Sequence, residues 1–189
     1  GEDDGWGSVY DTSLDGDEAP PPHPDTQVTE ERARSILTRN QSPDVGFNLS
    51  LNPYRGCEHG CSYCYARPAH AYMGLSPGLD FESKLFIKPN AAALLREELT
   101  ATNYAPRTIA LGANTDPYQP IEKQYRITRG VIEVLAEFKH PFGIVTKNHM
   151  VTRDIDLLKP LAALGLVKVA LSITTLDGKL VRAMEPRAS

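Results

Sequence analysis

The sequence predicts an α/β fold built on a parallel sheet, and three observations predict it. From residue 45 onward, short apolar runs of strand length alternate with stretches of helical period. Each apolar run ends in polar residues, at the carboxyl end where parallel sheets collect their ligands. No window is apolar for the length of a membrane span, and no repeat of fixed period breaks the alternation.

The elements follow in order. Residues 1–28 are acidic, contain "APPPHP" and hold too few large apolar groups to offset the entropy of ordering them, which predicts a disordered tail. Residues 29–44 read as a short helix, "TEERARSILTR", and a linker. "VGFNLSL" then sets Val45, Phe47, Leu49 and Leu51 on one face at period two, the pattern of a half-buried strand, and runs straight into a loop of cysteines. "NAAALLREEL" predicts a helix capped by Asn90, and "TIALGAN" a short strand ending at Gly112. "TRGVIEVLAEF" carries Val131, Val134, Leu135 and Phe138 at helical spacing, with Thr128 placed to cap. "FGIVTKN" is the next strand. "TRDIDLLKPLAALG" reads as a helix kinked or interrupted at Pro160 and stopped by Gly165. The strand "VKVALSIT" and a helix near "GKLVRAM" complete the pattern.

Strand and helix in alternation are the grammar of a parallel sheet, of which the (β/α) barrel of the TIM type is one form. A complete eight-stranded barrel needs about 250 residues. The chain has 189 and shows four strands, so the expectation is a partial barrel, truncated after about four β/α units.

The net charge of −4 conceals a split. Gly1 to Glu31 contain ten acidic residues and no Lys or Arg, whereas the remainder holds 20 basic residues against 14 acidic ones. A body with that balance suits a polyanionic partner such as nucleic acid, yet its basic residues are scattered and fit ordinary solvated surface equally well. The acidic start lacks the positive and apolar segments of a signal peptide. Together with the absence of a membrane-length apolar window, this predicts a cytoplasmic protein with no membrane partner.

The chemistry is concentrated in "NPYRGCEHGCSYCYARP", which holds all three cysteines, Cys57, Cys61 and Cys64. Three thiols within eight residues make a poor disulfide framework, because one is left over. A structural zinc site takes four ligands, usually as two pairs, and this chain has one triplet. His59 or His70 would have to complete a Cys3His set, and His59 lies on a short tether between two of the cysteines. An iron-sulfur cube asks for one ligand per iron, so three cysteines leave one iron open.

C-x3-C-x2-C, with an aromatic before the last cysteine on the loop after a first parallel strand, resembles the radical S-adenosylmethionine (radical SAM) enzymes. The likeness runs from about Val45 to the end of the chain, so that 45–189 stand as the N-terminal part of a radical SAM domain. "NPYRGC", "CSYCYARP", "GANTDPYQPIE" and "IVTKN" look more specifically like the spore photoproduct lyase-like branch, the DNA repair photolyase-like proteins.

That resemblance implies a 4Fe-4S cluster on Cys57, Cys61 and Cys64, and S-adenosylmethionine as the second cofactor. It implies Tyr63 against the adenine, Asn114, Thr115 and Asp116 toward the amino group of S-adenosylmethionine, Lys147 toward its carboxylate, and Ser172 toward the ribose or methionyl end. Tyr65 falls where the branch has a tyrosine in its hydrogen relay. Glu185 and Arg187 are further candidates for the cofactor pocket. The implied activity is reductive cleavage of S-adenosylmethionine followed by hydrogen abstraction, lyase-like in this branch, with a reducing donor such as flavodoxin or ferredoxin and an unidentified substrate that includes nucleic acid among its candidates. The branch uses a further cysteine as hydrogen donor, and here none lies between Tyr65 and Ser189. The alternative is a non-catalytic module that binds zinc or nucleic acid. "NTDPYQP" is also sound turn chemistry, and the tyrosines beside the cysteines also suit loop packing.

Overall fold

A computed structural model describes residues 26–188. The main sheet has five strands: β2 (Leu37–Arg39), β3 (Leu49–Leu51), β6 (Ile109–Leu111), β7 (Phe142–Thr146) and β8 (Val167–Leu171), side by side in that order. β3, β6, β7 and β8 run parallel, and β2 closes one edge antiparallel to β3. A smaller sheet places β5 (Lys84–Ile87) between β1 (Gln27–Glu30) and β4 (Tyr54–Arg55).

The connections between the parallel strands carry helices: α1 (Asp80–Ser83) and α2 (Ala91–Thr100) before β6, α3 (Glu122–Tyr125) and α4 (Ile127–Glu137) before β7, and α5 (Ile155–Ala163) before β8. α6 (Gly178–Met184) follows the last strand. Strand residues alternate faces. Leu49, Leu51, Ile109, Leu111, Phe142 and Ile144 form the buried face, and Leu95, Val131, Leu135 and Leu158 of the helices join the same core. The opposite face, with Ala110, Gly143, Val145 and Lys168, lines an open concavity of about 530 Å³.

The helix-strand alternation, the parallel sheet and the four strands expected within it are observed, as are helices at residues 91–100, 127–137, 155–163 and 178–184. Other expectations are corrected. "TEERARSILTR" is not a helix, because Thr29 and Glu30 pair with β5 and Leu37 to Arg39 pair with β3. The backbone N–H groups of Ile36 and Leu37 donate to the carboxylate of Glu98, 2.6 and 3.3 Å away, and long-range pairing overrides local helix preference. The strand in "VGFNLSL" is confined to Leu49–Leu51.

Asn90 stands at the head of α2, but its amide donates to the carbonyl of Ala33 instead of capping. Thr128 lies inside α4 and donates to the carbonyl of Pro117; the carboxylate of Glu122 takes the cap role by accepting from the N–H of Thr128 at 3.0 Å and of Arg129 at 3.3 Å. Pro160 does not interrupt α5. The N–H that Pro160 lacks would have reached back to Asp156, an exposed residue whose carbonyl is open to solvent rather than buried. Gly165 follows the helix end with φ of 70°, as a stop requires. Of the tail placed at 1–28, residues 27 and 28 belong to β1, and 1–25 lie outside the described residues.

Gly112 sets how closely the ends of β6 and β7 approach. Its φ is 88°, and a Cβ there would stand 2.3 Å from the Val145 carbonyl oxygen, a backbone atom that cannot step aside. Gly112→Ala is expected to lose about 1–3 kcal/mol, at ~2–4 °C of Tm per kcal/mol for a chain of this size. Gly143→Ala, whose new Cβ would meet nothing closer than 3.9 Å, is expected to lose much less in the same thermal melt.

Candidate functional site

The cysteine loop leaves β4 and is held from every side. Cys57 N–H donates to the Phe81 carbonyl at 2.9 Å. The buried Gln119 amide brackets the loop's start, donating to the Gly56 carbonyl at 3.1 Å and accepting from Glu58 N–H at 3.0 Å. Glu58 in turn accepts from Ile121 N–H at 2.8 Å. The Arg67 guanidinium donates to the carbonyls of Gly60 and Cys61, at 3.2 and 3.0 Å, and pairs with Glu82.

From the far end of the chain, Met184 accepts from Ser62 N–H and Arg187 N–H donates to the His59 carbonyl. The Arg187 side chain donates to the Glu58 carbonyl and to Glu82, the latter at 2.5 Å. Gly60, with φ of 65°, sits beneath this pair; a Cβ there would lie 2.3 Å from Glu82 and 2.6 Å from Arg187.

Cys57 and Cys61 are buried and Cys64 is half-buried, all three as free thiols. Burial pushes the Cys57 thiol well up and the Asp116 carboxylate adds to it, while the backbone N–H groups of Asp116 and His59 pull the other way. Burial pushes Cys61 up to about 12, with the Glu185 carboxylate adding and Lys147 opposing. Such protonated thiols are inert until a cation displaces the proton. His59 is held below the usual imidazole range by burial, so it stays neutral. Among the described residues no group of three or more His, Cys, Asp or Glu side chains is set to hold a single metal ion.

Facing the loop are the carboxyl ends of the parallel strands. After β3, the Asn52 side chain accepts from the N–H groups of Asn114 and Thr115, at 2.9 and 3.4 Å. Thr115 is buried and its hydroxyl donates to the Tyr54 carbonyl, whereas Asn114 is exposed. Asp116 is fully engaged: one oxygen accepts from Tyr118 N–H at 2.8 Å and the Thr146 hydroxyl at 2.6 Å, the other from Lys147 N–H at 2.7 Å, with His59 Nδ1 at 3.4 Å. Tyr65, largely exposed, donates its hydroxyl to the Ala113 carbonyl and so bridges the cysteine loop to the end of β6.

Lys147, after β7, reaches over the site. Its Nζ lies 3.0 Å from the Ser172 hydroxyl, 3.2 Å from that of Thr174, 2.7 Å from the Glu185 carboxylate and 5.5 Å from the centre of the Tyr63 ring. The Tyr63 hydroxyl donates to Glu185 as well. The structure therefore gathers Tyr63, Lys147 and Ser172 into one cluster, with Thr174 and Glu185 added. Asp116 stands beside Cys57, while Asn114 and Tyr65 lie together on the exposed rim.

The sequence model of the radical SAM superfamily matches residues 51–189, a span that contains the cysteine loop and all four parallel strands but for the first two residues of β3. The chain belongs to the radical SAM superfamily. Enzymes of this superfamily use a 4Fe-4S cluster and S-adenosylmethionine. An uncharacterized protein of Mycobacterium tuberculosis H37Rv is 42% identical over 139 residues, 74% of this chain and 41% of that protein. An uncharacterized protein of Methanocaldococcus jannaschii is 28% identical over 160 residues, 85% of this chain and 56% of that one. The chain thus spans about half the length of these relatives. Among solved structures, spore photoproduct lyase complexed with dinucleoside spore photoproduct matches with a TM-score of 0.59 and 16% identity, over 86% of this chain and 44% of that one, a likeness of fold. Among the described residues no helix is long and apolar enough to cross a membrane.

Sequence reasoning named the thiols, the strand-end residues, Glu185 and Arg187, but missed Asn52, Arg67, Glu82 and Gln119. Asn52 and Arg67 lie within the quoted cysteine text, so proximity was their only signal. Removing the Asp116 carboxylate strands three donors at once. Asp116→Ala is expected to destabilise the protein by on the order of 3 kcal/mol, and Asp116→Asn, which keeps one acceptor oxygen, by less, as read from urea unfolding midpoints.

Proposed function

We propose that this protein is a radical SAM enzyme in which Cys57, Cys61 and Cys64 hold a 4Fe-4S cluster with one iron left for S-adenosylmethionine. The observation that carries the reading is the convergence of the cysteine loop and Lys147 at the carboxyl ends of four parallel strands, with Lys147 Nζ 5.5 Å from the centre of the Tyr63 ring on that loop. The residues fit such a cluster in kind: three free thiols stand on one short loop, two of them buried and one half-buried, and thiolates are the ligands that iron-sulfur clusters take. The four parallel strands are, on this reading, the first part of a (β/α) barrel.

A cluster held by Cys57, Cys61 and Cys64 would, once reduced, supply the electron for reductive cleavage of S-adenosylmethionine and so initiate hydrogen abstraction from the substrate. The protein's residues bind, orient and exclude water. Lys147, with Ser172 and Thr174 beside it, offers an ammonium and two hydroxyls to the ligand's carboxylate. Tyr63, half-exposed over the same cluster, offers a ring face to the adenine. Exposed Asn114 is the member of its segment free to turn toward the amino group, because Thr115 and Asp116 spend their side chains on the backbone of β4 and on the end of β7. Backbone N–H groups of His59 and Asp116 favour the thiolate of Cys57. A reducing donor such as flavodoxin or ferredoxin completes the system.

The target of the radical is a further part of the proposal. "NPYRGC" and "NTDPYQP", together with the fold likeness to spore photoproduct lyase, support a lyase-like step of the photolyase-like kind on nucleic acid. Tyr65, whose hydroxyl reaches the Ala113 carbonyl on the rim beside Asn114, is on this reading a member of the hydrogen relay.

Anaerobic reconstitution with iron and sulfide is expected to give brown protein. Reduction in the presence of S-adenosylmethionine is then expected to release 5'-deoxyadenosine and methionine, and a variant with all three cysteines replaced by alanine should release none. Colourless protein holding one zinc, or a well-formed cluster that yields no 5'-deoxyadenosine, would overturn the assignment.

A further inference from the structure

The cluster around Lys147 contains an acid that the assignment above leaves without a role. Glu185 is 3% exposed, and a single oxygen of its carboxylate, Oε1, takes three donors: Lys147 Nζ at 2.7 Å, the Thr174 hydroxyl at 2.5 Å and the Tyr63 hydroxyl. The donors come from the end of β7, the end of β8 and the cysteine loop. An ammonium and two hydroxyls converging on one carboxylate oxygen make a receptor for a carboxylate of any origin, whether a side chain or a free α-carboxylate.

Glu185 is also held in a way that allows it to leave. It sits one residue beyond α6, none of whose seven residues is buried, so little packing fixes that helix. Arg187, two residues on, is anchored on Glu58, His59 and Glu82, which fixes the backbone just beyond Glu185. Burial also pushes the Glu185 carboxyl above its usual range, so its charged form is less favoured there than in water.

We propose that Glu185 is a built-in occupant of the carboxylate receptor formed by Lys147, Thr174 and Tyr63, and that an amino-acid ligand binds by displacing it with its own α-carboxylate. This rests on the reading above, in which that ligand is S-adenosylmethionine. With Glu185 seated, the charge of Lys147 is neutralised and the receptor is closed; the ligand's apparent affinity is reduced by the fraction of time the receptor stands empty.

The test measures binding of S-adenosylmethionine, and of its decarboxylated analogue, to the cluster-loaded protein by equilibrium dialysis. Glu185→Gln removes the competing charge. Glu185→Asp keeps the charge on a side chain one methylene too short to reach Lys147, and guards against a variant that merely unfolds. Both variants are expected to bind S-adenosylmethionine more tightly than wild type, Glu185→Gln by about tenfold if the receptor is empty roughly one-tenth of the time, with the decarboxylated analogue unchanged. Unchanged or weaker binding of S-adenosylmethionine by both variants, with wild type binding normally, overturns the displacement and leaves the enzyme assignment standing. An equal gain for both ligands also overturns it, since loosening rather than competition would then be at work. No binding by wild type or variants with an intact cluster overturns both.

Discussion

The carboxylate of Asp116 ties together the three pieces of chain on which the site depends. It takes Thr146 and Lys147 from the end of β7, Tyr118 from the turn after β6 and His59 from the cysteine loop. Its own backbone N–H meanwhile opposes the rise that burial imposes on the Cys57 thiol. A buried carboxylate costs several kcal/mol of desolvation unless its lone pairs are filled. Filling all of them from separate elements turns that cost into a geometric constraint. If the strand ends drift apart, Asp116 loses partners, so the cysteine loop and Lys147 keep their relative position without any ligand between them.

The same logic recurs around the loop. Glu82 is shared between Arg67 and Arg187, and the two guanidiniums also donate to backbone carbonyls of Glu58, Gly60 and Cys61. Behind it, Glu122 accepts from Tyr54 and Arg153 while capping α4, which fixes the strand that leads into Cys57. Ion pairs of this kind add little net stability, because desolvation offsets most of the attraction. What they supply here is a rigid frame for three thiols that have few apolar neighbours of their own; Ala66 and Phe81 are the buried residues packed with Cys57.

Much of the fold was legible because its signals are local. Helical spacing in 127–137, the apolar runs at Ile109 and Phe142 and the stop at Gly165 all act within a few residues of themselves. The thiol spacing and the polar residues after each strand are equally local, so the rim could be named before it was seen. What stayed hidden is decided across the chain. "TEERARSILTR" has the composition of a helix, yet Glu98, some sixty residues away, captures the backbone of Ile36 and Leu37. β4 and β5 are two and four residues long, too short to announce a strand by alternation. The pairing of Glu82 with Arg187 spans 105 positions and has no sequence signature at all. Asp116 illustrates both sides: its place on the rim follows from its distance after β6, whereas its four partners could be known only from the folded chain.

The central claim is that three thiolates are meant to leave one iron open, with Lys147 and its neighbours arranged to hold the molecule that fills it. Mössbauer spectroscopy of 57Fe-reconstituted protein tests this most directly, because it resolves the individual irons of a cluster. The account predicts a 4Fe-4S spectrum in which one iron differs from the other three and shifts when S-adenosylmethionine is added. Four irons that remain alike and unmoved by S-adenosylmethionine would contradict it.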